Sequence, residues 1–63
     1  MTNQQIADKL KALSEQMVEL GTAMDYYGGL HPHMAKRGAE LVSAGLIAES
    51  WAEEIEHELR GQL

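Results

Sequence analysis

The chain has 63 residues with 10 acidic and 5 basic side chains, a formal net charge of −5, one proline and no cysteine. This length allows one small domain, and the absence of cysteine excludes disulfides and thiolate metal sites. An acidic chain without clustered Lys and Arg is unsuited to nucleic acid or anionic membranes, and no apolar run approaches the roughly 20 residues of a membrane span. Because the N-terminus lacks the basic start and apolar segment of a signal peptide, we expect a cytoplasmic protein.

The first predicted element is a helix over residues 3–27. Thr2 and Gln5 have the spacing of a capping box, in which each side chain binds a backbone N–H group at the start of a helix. Apolar residues then recur at alternating gaps of four and three, which is the spacing of a seam against a second helix. This predicted hairpin seam consists of Ile6, Leu10, Leu13, Met17, Leu20 and Met24.

A short turn over residues 28–31 follows. Gly28 and Gly29 suit the end of a helix, because glycine adopts the left-handed conformation of a C-terminal cap without strain. Pro32 suits the first turn of the next helix. A connection of this length typically joins antiparallel helices.

The second predicted helix covers residues 32–60. Its seam residues continue the same period and include Leu41 and Leu59, together with small residues such as Gly38, Gly45 and Ala52. The predicted fold is therefore all-α, an antiparallel two-helix hairpin formed by a single domain over residues 1–63. Folding it back places Leu20 near Gly38.

Gly45 allows an alternative interpretation. It has the position of a residue that ends a helix, with Leu46 packing back on Leu41, and Ser50 then begins a third helix. A glycine inside a helix costs only about 1 kcal/mol relative to alanine, and the period of the seam continues across Gly45. We therefore expect a continuous helix, with a three-helix unit as the alternative.

The middle of the second helix is apolar around more than half of its circumference, which a single neighbouring helix cannot cover. We expect the remaining apolar residues to form an interface with a second copy, giving a homodimeric four-helix bundle. The alternatives are the core of a three-helix monomer and a different protein partner. The predicted interface residues are Val42, Leu46, Ile47, Trp51 and Ile55.

No set of residues predicts catalysis. The glutamates near the C-terminus lack a converging nucleophile or oxyanion donor, so we interpret them as a solvated helix face and expect a non-catalytic protein without cofactors. A weaker alternative is a metal site. His31 and His33 flank the proline of the turn, and His57 of a second, antiparallel chain is the third candidate ligand.

Three segments, Met24-Asp25-Tyr26-Tyr27-Gly28-Gly29, Ala39-Glu40-Leu41 and the run from Ile47 to Ile55, carry a resemblance that extends over the whole chain. In length and style the chain resembles the small, mostly uncharacterised helical proteins of phages and prophages. The resemblance implies an accessory role, which in such proteins often means binding to a host or viral protein. It implies no catalytic or binding residues.

Overall fold

The computed structural model describes residues 1–26 and 31–61, which form two helices. Helix α1 spans Asn3–Tyr26 and helix α2 spans Pro32–Gly61. The prediction of an all-α hairpin is confirmed, and the two helix ranges agree with the predicted ones to within a residue at each described end. The predicted glycine cap at residues 28 and 29 lies outside the described residues. Neither helix of the described part combines the length and apolarity needed to cross a bilayer.

Local side-chain chemistry determines where α1 begins. The backbone N–H of Thr2 donates to Gln5 Oε1 over 2.8 Å, and the backbone N–H of Gln5 donates to Thr2 Oγ1 over 3.1 Å. This is the reciprocal pattern of the predicted capping box. At the start of α2, Pro32 occupies the first helical position, where its missing N–H leaves no helical bond unmade.

Helix α2 continues through Gly45, so the three-helix alternative is wrong. Gly45 is buried against α1 rather than placed at a helix end. A β-carbon added at this position would lie 3.1 Å from each of Met17 Cβ, Ser14 O and Val18 Cγ2. The close approach of α1 leaves little room for a side chain at this position, which favours glycine despite its low helix propensity.

The two helices are antiparallel and pack along a line of small residues. Gly21 faces Gly38, and Ser14 faces Gly45. Residue numbers along the contact therefore increase in α2 as they decrease in α1. A heptad further along, the same register places Ala7 opposite Ala52, and both are fully buried. A β-carbon added at Gly21 would lie only 2.5 Å from Gly38 O, which means that the two backbones are in direct contact.

This register corrects part of the predicted seam. Leu13 and Leu20 are 48% and 58% exposed and lie beside the contact line rather than on it. Gly38 contacts Gly21 instead of the predicted Leu20, because two glycine backbones approach more closely than a leucine side chain permits. The other predicted seam residues are half-buried at the edge of the contact: Ile6, Leu10, Met17, Met24, Leu41 and Leu59.

Candidate functional site

The interior of the hairpin is built from small side chains. Its buried hydrophobic residues are Ala7, Ala48 and Ala52, and no large side chain in residues 1–26 and 31–61 is fully buried. Close backbone approach maximises contact between the helices but leaves no space between them for Leu, Ile or Trp. The large apolar side chains of the described residues therefore lie on the outside or at the edges of the helix pair.

Four half-exposed residues form one apolar face of the hairpin. Each directly precedes a buried small residue in the sequence. Because successive residues lie about 100° apart around a helix axis, each of the four points to the same side of the line of small residues on its own helix. The antiparallel arrangement places the corresponding sides of α1 and α2 on one broad face. We call this surface the apolar face; it consists of Leu13, Leu20, Ile47 and Trp51, which are 48%, 58%, 50% and 54% exposed.

The opposite broad face carries a groove between the helices. Its volume is about 590 Å³. Val18 and Leu46 supply its apolar surface, and Leu46 is 55% exposed. Carboxylates flank these apolar residues on both helices. We call this surface the groove; its lining residues are Lys11, Ser14, Glu15, Val18, Glu19, Leu46, Glu49 and Glu53.

The only cationic group of the groove is occupied by an ion pair. Lys11 Nζ lies 2.5 Å from Glu56 Oε1. The pKa of Lys11 is raised above its ordinary value of 10.5, first by its hydrogen bond to Glu56 and then by the negative charges of Glu56, Asp8 and Glu53. Four glutamates therefore face the groove without a second lysine or arginine among its lining residues.

The structure divides the predicted interface residues between the two faces. Trp51 is four residues from both Ile47 and Ile55, or about 40° around the axis from each, so these three lie on the same side. Leu46 is five residues from Trp51, or about 140° away, and lines the groove. Val42 is half-buried on the groove side, against Gly21. The five predicted interface residues are therefore distributed over both broad faces of the hairpin.

Sequence reasoning missed the contribution of Leu13 and Leu20 to the apolar face. It assigned them to the helix–helix seam because they share the four–three spacing of the residues around them. The signal that identifies the true contact line is the seven-residue spacing of small residues, which recurs in both helices. These residues are Ala7, Ser14 and Gly21 in α1 and Gly38, Gly45 and Ala52 in α2.

The histidines lie at opposite ends of the hairpin. His31 and His33 are exposed beside the start of α2, with ring centroids 5.0 Å apart. His57 is exposed near the other end, about 36 Å away at the helical rise of 1.5 Å per residue. Within residues 1–26 and 31–61, no three potential ligands are grouped so as to hold a metal ion. A site that contains all three histidines thus requires a second chain.

Comparison of the chain with protein-family models, with curated proteins and with solved structures gave no match. The two surfaces described above are therefore the features from which a function is inferred.

Proposed function

We propose that this chain is a non-catalytic interaction module that self-associates through the apolar face. One observation carries the proposal: the hairpin buries alanines and exposes half of Leu13, Leu20, Ile47 and Trp51. A core of this kind contributes little hydrophobic stabilisation, and chains of this size usually gain the remainder from disulfides, a metal or association. A clustered apolar surface on a small protein is characteristic of an interface.

A second copy matches this face in size and chemistry. The hairpin measures 49 × 15 × 14 Å, so one long side has a projected area on the order of 700 Å², which leaves room for a standard interface that buries ~800 Å² of accessible surface per partner. Two such faces, stacked, give a four-helix bundle in which the large side chains of both copies form the missing central layer. This arrangement retains the self-association through α2 that the sequence predicts and adds α1 to the interface.

Charge favours an antiparallel arrangement of the two copies. Arg37, which is ion-paired with Glu40 over 2.8 Å within its own helix, lies near the turn end of the hairpin, whereas Glu54 and Glu58 lie near the open end. Antiparallel stacking brings Arg37 of each copy towards the glutamates of the other, but parallel stacking brings the acidic ends together. Exposed ion pairs are worth only about 0–1 kcal/mol each, so they select the orientation while the apolar face drives association.

The first test compares neighbouring residues of similar exposure on opposite faces. We expect Ile47→Glu to convert a dimer into a monomer, because it places a charge within the apolar layer. Leu46→Glu, which adds the same charge on the groove side, should leave the mass unchanged. The measurement is light scattering on a sizing column over a concentration series. Equal effects of both substitutions, or a monomeric unsubstituted chain, would contradict the proposal.

The absence of native cysteine allows a test of orientation. In an antiparallel dimer Ile47 lies close to the two-fold axis and meets its counterpart, so Ile47→Cys should form an intermolecular disulfide under mild oxidation. In a parallel dimer Ile47 faces α1 of the second copy and no such disulfide is expected. Leu46→Cys serves as the control for random collision.

The accessory role implied by the resemblance to phage and prophage proteins forms a second part of this proposal. A self-associated module with exposed surfaces on its outer side is suited to binding a host or viral protein. The role is tested by capture of a defined partner, and the expected cytoplasmic location by fractionation of cells that produce the protein.

A further inference from the structure

We propose that the groove binds a basic amphipathic helix from a different protein. The groove combines two features that such a helix recognises. Leu46 and Val18 offer apolar surface along its centre, and Glu15, Glu19 and Glu49 are among the carboxylates that line it. An amphipathic helix places apolar residues three and four positions apart in such a groove, with its flanking lysines or arginines beside the carboxylates.

The charge of the groove disfavours the groove of a second copy as its occupant. Four glutamates line the groove, and its single lysine is paired with Glu56 at 2.5 Å. Stacking two grooves brings eight carboxylates together without additional cations to neutralise them, and like charges in contact disfavour association. The two broad faces of the hairpin are therefore chemically distinct. The apolar face suits a second copy, and the groove suits a partner of opposite charge.

The dimensions of the groove agree with an inserted side chain. Its volume of about 590 Å³ is sufficient for one or two large apolar side chains of a docked helix. The two helices are in contact beneath it, because Ser14 is buried at its base and faces Gly45. The floor is thus a preformed part of the hairpin, which reduces the entropy lost on binding.

The test uses a synthetic 18-residue helical peptide with leucines along one face, lysines flanking them and alanines elsewhere. A matched peptide with glutamate in place of lysine is the control. Affinity is measured by fluorescence anisotropy at physiological salt, and the binding site is located by amide chemical shifts in ¹⁵N-labelled protein. Trp51 reports on the apolar face, since its indole N–H gives a separate signal. We expect shifts around Val18 and Leu46, with little change at Trp51.

Paired variants separate recognition by the groove from attraction to an acidic protein in general. Glu49→Gln with Glu53→Gln should weaken peptide binding by roughly two- to thirtyfold, since two ion pairs at 0.2–1 kcal/mol each are lost. Glu54→Gln with Glu58→Gln removes the same charge outside the groove and should change the affinity less than about twofold. Leu46→Ala should also weaken binding while leaving the solution mass unaltered.

The outcomes distinguish this inference from the proposed self-association. A monomeric protein that still binds the lysine peptide at Leu46 supports the groove and contradicts only the dimer. Shifts centred on Trp51, equal binding of the two peptides, or equal effects of the two glutamate pairs would overturn the inference. A change in solution mass on Leu46→Ala would also overturn it, by assigning Leu46 to the self-association interface.

Discussion

Adding one methyl group at Gly21 should force the two helices apart. The added β-carbon would lie 2.5 Å from Gly38 O, 2.8 Å from Val42 Cγ2 and 3.0 Å from Val42 N. Ordinary contacts begin near 3.5 Å, so restoring them requires a separation of nearly 1 Å. A gap of that size forfeits a quarter to a half of the attraction between the atoms it separates. The neighbouring contacts along the seam weaken accordingly.

The expected magnitude is the difference between two opposing effects. Alanine is favoured over glycine inside a helix by about 1 kcal/mol. Overpacking a tight contact costs about 1–3 kcal/mol, and the upper part of this range applies because backbone faces backbone. Gly21→Ala should therefore destabilise the protein by about 1–2 kcal/mol and lower its Tm by roughly 4–16 °C. Gly38→Ala should behave alike, since its β-carbon meets Gly21 O and lies 2.9 Å from Asp25 N.

Two further glycines provide an internal scale. Gly45→Ala introduces contacts of 3.1 Å with Met17 Cβ, Ser14 O and Val18 Cγ2, which are a few tenths of an ångström shorter than ordinary contacts, compared with about 1 Å at Gly21. Its effect should lie within about 1 kcal/mol of zero, because the gain in helix propensity offsets the crowding. At Gly61 no atom of the described residues lies within 4 Å of the added carbon, so Gly61→Ala should be neutral or slightly stabilising.

The assay is thermal unfolding followed by far-ultraviolet circular dichroism, with all variants at one protein concentration because association makes Tm depend on concentration. The expected order of Tm is Gly61→Ala highest, then Gly45→Ala, with the substitutions at Gly21 and Gly38 lowest. If Gly21→Ala raises Tm as Gly61→Ala does, the helices do not meet backbone to backbone and the small-residue seam is wrong.

Three further predictions concern the helix start, the ion pair and metal. Thr2→Ala removes one half of the capping box and should destabilise the protein by about 0.5–2 kcal/mol in urea unfolding. Thr22→Ala, at an exposed position inside α1, should not. The raised pKa of Lys11 means that its pair with Glu56 stabilises the fold below about pH 10.5 and that this contribution is lost as the pH rises through the folded-state pKa. The Tm difference between the unsubstituted chain and Lys11→Gln should therefore be constant from about pH 7 to pH 9 and shrink above pH 10.5. A difference that already shrinks below about pH 9 would refute this assignment. Zinc or a chelator should leave Tm unaltered, because the histidines of one chain lie at opposite ends of the hairpin and His57, six residues or about 120° around the axis from Trp51, points away from the apolar face on which a second copy packs. A rise in Tm with zinc would support the metal-linked alternative.

Local signals in the sequence determined the secondary structure of this protein. Thr2 and Gln5 mark the start of α1 through bonds that involve only neighbouring residues. Pro32 marks the start of α2 through its fixed φ angle. Two helices joined by a short connection leave an antiparallel hairpin as the compact arrangement, so the fold class was predictable without tertiary information.

The tertiary structure alone decided which residues form the contact line and which are left exposed. Leu20 and Gly21 are adjacent, and each belongs to a series with helical spacing, so periodicity does not select between them. The selection depends on distance: glycine and alanine permit backbone contact, and a leucine at the same place holds the helices apart. Once Gly21 meets Gly38, Leu13, Leu20, Ile47 and Trp51 are directed onto one face. The surface proposed for self-association is thus a consequence of how closely two backbones can approach.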